Sequence, residues 1–198
     1  MTTSVVLVGV GGQGILLASE IVAQAAVAAG FDVKTNEVHG MAQRGGSVIA
    51  QIRYGKEVHS PLVPAHSAKV LVALERIEGL RNIDFLADDG LAVISTQRIV
   101  PVTVSSGGAS YPDVDEKLLQ RYFRQLIYVD AVATAEKLGN LKAANTILLG
   151  AMSVHLDLPA EAWHAAIQKS VKEKFVGVNL RAFDEGRKYN TGLRRSTG

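Results

Sequence analysis

The chain contains no cysteine. It therefore holds no disulfide, and no oxidising compartment is implied. It also cannot ligate an iron–sulfur cluster by thiolates, so any electron-transfer role must borrow its clusters from another polypeptide. Aromatic residues are scarce, at 6% of 198 residues, and the core must rest on Val, Leu, Ile and Ala. Charge of one sign is scarce too. A net charge of +2 gives no field suited to nucleic acid or an anionic membrane surface. The one basic bias, Arg187, Lys188, Arg194 and Arg195 among Gly, Ser and Thr, reads as a frayed end, with 191–198 a flexible tail. No apolar run reaches the ~20 residues of a membrane span. The start MTTSVVLVGVGG lacks a basic n-region and runs into a glycine-rich turn, which makes it a buried strand rather than a signal peptide. A cytoplasmic protein is the default expectation. His59, His66, His155 and His164 have no metal-ligand spacing, and no nucleophile elbow, Walker phosphate loop or H-E-x-x-H occurs. Neither a catalytic residue nor a metal site is expected in the chain itself.

What is present is an alternation of short apolar runs and helical periods. Residues 4–8 form a short continuous run rich in β-branched residues and ended by glycine, as a strand buried on both faces does. Leu16, Leu17, Ile21, Ala25 and Ala28 then recur at helical spacing, Gly30 closes the helix, and 32–37 reads as a second strand. Such a βαβ unit implies parallel strands. Residues 39–46 lack periodicity and read as a loop. Residues 47–54 alternate as a strand does, and Gly55-Lys56 could turn them into a hairpin with 57–59. Further strands are expected at 68–74, 91–95, 99–104 and 127–129, and helices at 77–86, 115–126 (Leu118, Leu119 and Tyr122 inward), 131–138, 143–156, from Pro159 onward (Trp163 and Ile167 inward) and 178–189. The fold class is α/β: a single doubly wound, mostly parallel, Rossmann-like sheet over 1–190, with extra C-terminal helices.

The clearest motif is Gly9-Val10-Gly11-Gly12-Gln13-Gly14, a G-x-G-x-x-G placed between a predicted strand and a predicted helix. In that context Gly9 permits the turn, Gly11 lets backbone approach a phosphate, Gly14 allows close helix–strand packing, and the helix N-terminus offers N–H groups to an anion. Glu37 lies at the separation expected of a ribose-binding acid. Two readings stay open: a bound phosphate or nucleotide, or a tight turn that holds no ligand. A second constellation, residues 37–46, starts at the carboxyl end of the second strand, where open α/β sheets place their ligands. Arg44, Gly45 and Gly46 there combine a guanidinium with permissive backbone, which suits a carboxylate, a phosphate or a partner's carbonyl. His39 reads as a solvated loop histidine. Glu75 and Asp130 could face the cleft or cap helices, and Asn145 could bond across an interface or cap a helix start.

Taken together, VVLVGVGGQGILLASEIVAQAAVAAG, EVHGMAQRGGSVIAQIRYG, PLVPAHSAKVLVALE, AANTILLGAM and VNLRAFDEGRKY resemble the gamma domain of 2-oxoacid:ferredoxin oxidoreductases over roughly residues 4–190. The HGMAQRGG block and the lone-domain length look most like the beta subunit of the indolepyruvate enzymes. That resemblance implies conversion of an aryl pyruvate, CoA and oxidised ferredoxin to aryl-acetyl-CoA, CO2 and reduced ferredoxin. It implies thiamine diphosphate, Mg and [4Fe-4S] clusters on a larger alpha subunit, ferredoxin as acceptor, and no cofactor held by this chain. The chain would be inactive alone and could form a homodimer when isolated. Gly9, Gly11, Gly12, Gln13 and Gly14 with Arg44, Gly45 and Gly46 would line a cleft for CoA phosphates or a partner loop. The alternatives are a stand-alone NAD(P)-binding oxidoreductase, with Glu37 on the ribose, and a nucleotide-binding regulator.

Overall fold

A computed structural model describes residues 2–40, 46–100 and 111–189. Six strands form one sheet: β1 (Thr2–Val10), β2 (Asp32–His39), β3 (Ser47–Gly55), β4 (Ala68–Ala73), β5 (Leu86–Ser95) and β6 (Gln125–Val129). Their order is β2-β3-β1-β4-β5-β6. Strands β1, β4, β5 and β6 pair in parallel, while β3 runs antiparallel to both of its neighbours. Seven helices among the described residues cover the sheet: α1 (Ile15–Ala28), α2 (Arg76–Arg81), α3 (Glu116–Tyr122), α4 (Ala131–Lys137), α5 (Ala144–Ser153), α6 (Ala160–Ser170) and α7 (Glu173–Lys188).

The central strands are continuous apolar runs because both faces are covered. On β1, Val5 and Leu7 join the core under α1, α5, α6 and α7, while Val6 and Val8 join the core under α2 and α3. The same split divides Val70 and Val72 from Leu71 and Ala73 on β4. Helix α1 turns Ile15, Ala18, Ile21, Val22, Ala25 and Ala26 inward and packs on α6. Trp163, fully buried, stacks on Phe183 at 5.6 Å between ring centroids, and Ile167 is buried one turn on.

Several expectations are corrected by tertiary pairing. The βαβ unit exists, but β3 lies between β1 and β2, so those strands run the same way without touching. The hairpin is β2–β3, closed by Gly40 N–H donating to the Ser47 carbonyl at 2.8 Å, and not the expected turn at Gly55-Lys56. Residues beyond Gly55 find side-chain partners instead of a strand. The Val58 N–H donates to Asp32 and the Val63 N–H to Gln51, while Arg53 donates to the Ser60 and Leu62 carbonyls. Helix α2 stops at Arg81, and β5 starts at Leu86, earlier than its apolar run. A Cβ on Gly90 would lie 2.9 Å from the Ala68 carbonyl oxygen, so a glycine lets β5 close on β4 in the stretch between the expected helix 77–86 and the expected strand 91–95. Helix α3 ends at Tyr122, which is 58% exposed and not inward. Leu16 and Ala28 likewise face away from the core; α1 is apolar on several sides, so its period left the phase undetermined. Ile99 and Val100 are not in a strand, and the rest of the expected 99–104 strand lies outside the described residues, as does the 191–198 tail.

Candidate functional site

Helix α1 leaves β1 on one face of the sheet and α2 leaves β4 on the other. The carboxyl ends of these adjacent strands therefore form a topological switch point, where open α/β sheets bind ligands. The glycine turn sits there. Gly12 and Gly14 have φ of 101° and 80°, the left-handed region that favours glycine. Gly14 occupies the N-cap of α1 without a side-chain cap, and the first turn carries no acid. The partial positive end of α1 is thus uncompensated. Beside it opens a cavity of about 590 Å³, lined by Gly11, Gly12, Gln13 and Gly14 with Gln97, Lys142 and Asn145 and an apolar wall of leucines, isoleucine and valine. Lys142 is the one charged side chain among these lining residues.

The turn is held by the chain's own groups. Gln13 Oε1 accepts the Val10 N–H at 2.7 Å, and Gln13 Nε2 donates to the Leu74 carbonyl and to Gln97 Oε1, each at 2.8 Å. The Gly11 N–H donates to the Gly46 carbonyl at 2.9 Å, and the Gln13 N–H to the Val10 carbonyl at 3.2 Å. Asn145, 4% exposed, reaches from α5 to donate to the Gly14 carbonyl at 3.1 Å. These contacts revise the roles expected of the glycines. A Cβ on Gly9 would lie 2.7 Å from Gln13 Oε1, and one on Gly14 would lie 2.7 Å from Asn145 Nδ2. Both positions are glycine to admit a neighbouring side chain. Gly9 does not line the cavity, and Gly46 acts through its carbonyl. Arg44 and Gly45 lie outside the described residues.

Glu37 does not reach the turn. It is exposed on the edge strand β2, two strands from β1, about 10 Å away at the usual strand spacing. The ribose acid of the dinucleotide reading is therefore misplaced. Glu75 and Asp130 are helix caps: Glu75 accepts from the Ile77 and Glu78 N–H groups at the start of α2, and Asp130 from the Ala133 N–H at the start of α4. Sequence reasoning missed Gln97 and Lys142. Asn145 carried a usable signal, since a polar residue in the apolar stretch 143–154 must find a partner if buried.

Glu75 does more than cap. Its second oxygen accepts the Tyr111 phenol and, at 3.4 Å, the Ile99 N–H beside the cavity. Arg98 lies 4.1 Å above the Tyr111 ring. Burial, then the adjacent Glu75 carboxylate, pushes the Tyr111 phenol up to about 12. A folded-state value above the ordinary one means the neutral phenol is favoured by folding. Its contribution is complete below the ordinary tyrosine value and is lost as pH rises through about 12. Absorbance titration at 295 nm, wild type minus Tyr111→Phe, should show this late ionisation; a difference curve centred at the ordinary value would refute the buried contact.

Among the described residues no helix is long and apolar enough to cross a membrane, and no group of three or more His, Asp or Glu is placed to hold a metal. Residues 4–189 match the family model described as pyruvate ferredoxin/flavodoxin oxidoreductase. The chain is 41% identical, over 98% of its length and 96% of the relative's, to a protein of Archaeoglobus fulgidus named indolepyruvate oxidoreductase subunit IorB. A protein of the same name from Pyrococcus horikoshii is 40% identical over 92% of this chain and 93% of its own. The fold recurs in the gamma subunit of a keto/oxoacid ferredoxin oxidoreductase from Geobacter sulfurreducens, with a TM-score of 0.70 at 21% identity, covering 96% of this chain and 97% of that one. It also recurs within a 2-oxoglutarate:ferredoxin oxidoreductase of Magnetococcus marinus, with a TM-score of 0.73 at 20% identity, covering 98% of this chain and 32% of that one. The chain belongs to the pyruvate ferredoxin/flavodoxin oxidoreductase family.

Proposed function

We propose that this chain is the non-cofactor-bearing subunit of an indolepyruvate-type 2-oxoacid:ferredoxin oxidoreductase. The complex would convert an aryl pyruvate, CoA and oxidised ferredoxin to aryl-acetyl-CoA, CO2 and reduced ferredoxin. The observation that carries the substrate class is the near full-length similarity, at 40–41% identity, to proteins named indolepyruvate oxidoreductase subunit IorB. The residues themselves argue for chemistry on a companion. A chain without cysteine does not fit an iron–sulfur cluster. The described residues also gather no acidic or imidazole set that fits a thiamine-bound magnesium. Both belong to a larger, cytoplasmic alpha partner in this reading.

The contribution of this chain is then positional. Its carboxyl-edge cleft, walled by Gly11, Gly12, Gln13 and Gly14, faces the partner. Lys142 and the uncapped start of α1 are the groups suited to receive an anionic part of CoA. The Gly46 carbonyl is joined to the turn, and Arg44 and Gly45, its neighbours in sequence, would serve the same cleft in this reading. Residues 1–190 act as one unit in this reading.

Reconstitution tests it. The purified alpha partner and this chain together should oxidise indolepyruvate with ferredoxin, and neither should do so alone. Turnover of a 2-oxoacid or reduction of a nicotinamide by this chain alone would sink the reading. In the assembled enzyme, Lys142→Glu should raise KM for CoA about tenfold, the worth of one charge-assisted contact, with kcat nearly unchanged. An unaltered KM would remove CoA from this cleft while leaving the subunit assignment standing.

A further inference from the structure

The Gln13 side chain lies where a Rossmann turn normally leaves space. Its carboxamide spans the crevice from the end of β1, at Val10, to the end of β4, at Leu74, and on to Gln97 beyond β5. This is the switch point itself, the line along which a dinucleotide's pyrophosphate crosses such a sheet. We propose that Gln13 is a specificity-determining residue: its carboxamide occupies the place, and engages the partners, that the glycine turn would otherwise offer to a pyrophosphate. A dinucleotide is thereby kept from crossing the turn between β1 and β4, while the first turn of α1, which lines the same cavity as Lys142, stays available to an anion.

The donors support this assignment. A phosphate at a βα turn is held by free backbone N–H groups. Here the Val10 N–H is taken by Gln13 Oε1, the Gly11 N–H by the Gly46 carbonyl and the Gln13 N–H by the Val10 carbonyl. To enter, a pyrophosphate must expel a carboxamide that is hydrogen-bonded at both ends, and must leave the Leu74 carbonyl without its donor. Packing agrees. Gly9, the first glycine of the motif, lacks a Cβ where Gln13 Oε1 would lie only 2.7 Å away. Glu37, two strands distant, supplies no ribose contact that would offset the loss. Gln13 acts through the turn alone, independently of which oxidoreductase reaction the assembled complex performs.

ADP-ribose, which carries the pyrophosphate and ribose without a nicotinamide, is the probe, titrated calorimetrically into the full chain. Gln13→Ala opens the crevice and frees the Val10 N–H. Gln13→Met removes the same hydrogen bonds but keeps the crevice filled. The alanine variant should bind ADP-ribose about tenfold or more tighter than either wild type or the methionine variant, the factor that one recovered hydrogen bond supplies. Should the alanine variant not fold by circular dichroism, Gln13→Ser opens the same space with a polar side chain too short to bridge Val10 and Leu74, so the Val10 N–H is freed there too. The proposal is overturned if wild type binds ADP-ribose and the small-residue variants lose it, if the small-residue and methionine variants gain equally, or if neither gains. None of these readings involves 2-oxoacid turnover, so a failure here leaves the subunit assignment untouched, and the reverse holds.

Discussion

Replacing Gly150 with alanine is expected to lower the stability of the chain by about 3 kcal/mol, the upper part of the range for overpacking a core. Helices α5 and α7 cross with their backbones in contact at this point. A Cβ on Gly150 would overlap the Phe183 carbonyl oxygen and lie 2.9 Å from Gly186 Cα and 3.0 Å from Arg187 N. The contact is reciprocal, because a Cβ on Gly186 would overlap the Ile147 carbonyl oxygen. The obstructing atoms are backbone and cannot turn aside as a side-chain end could, so the helices must separate. Every residue of α5 from Asn145 to Ser153 is buried, so separation unpacks the core on both sides. It would also draw Asn145 away from the Gly14 carbonyl and loosen the glycine turn. The urea midpoint should fall sharply. Adding Gly186→Ala should cost less than it does alone, because the first substitution has already parted the helices. A midpoint within error of wild type would mean that the two helices do not touch at these glycines.

Glu75→Ala should cost about 3 kcal/mol, because each buried donor left without an acceptor costs ~1–3 kcal/mol and water can relieve only part of the loss. The carboxylate, 2% exposed, accepts the Ile77 N–H at 2.7 Å, the Glu78 N–H at 3.0 Å, the Ile99 N–H at 3.4 Å and the Tyr111 phenol. Alanine removes the cap of α2 and the tie between Ile99 and Tyr111 together. A glutamine side chain at this position would keep an amide oxygen for the cap and place an amide donor toward the phenol oxygen. Glu75→Gln should therefore cost roughly a third as much. The local marker is the Tyr111 ionisation, which should move back from about 12 toward its ordinary value in Glu75→Ala. Equal stability loss in the alanine and glutamine variants would show that volume, not hydrogen bonding, makes Glu75 important.

Much of the sheet was legible from composition and period. Residues 5–8, 70–74 and 91–94 are unbroken apolar runs because both faces of those strands are covered, and such runs have few other uses in a chain of this size. The α1 and α6 helices announced themselves by spacing and by Gly30 and Pro159 at their ends. The position of β3 was not legible. An alternating strand can pair with either neighbour in sequence, and only the fit of 47–55 between β1 and β2 selects the register. Its insertion then moved Glu37 away from the turn, which removed the strongest sequence argument for a dinucleotide.

The candidate site divides in the same way. A turn at the carboxyl edge of the sheet, built from Gly9, Gly11, Gly12 and Gly14, followed from local order alone: a strand, a permissive run, a helix. So did the impossibility of thiolate-held clusters, since that depends only on which residue types exist. Whether the turn's N–H groups are offered to a ligand depends on groups distant in sequence. Gly46 meets Gly11, Leu74 and Gln97 meet Gln13, and Asn145 meets Gly14. Motif spacing carries backbone conformation, which is local. The ownership of a hydrogen bond is settled by what the rest of the chain brings within about 3 Å of it, and only the folded arrangement of β3, β4 and α5 does that.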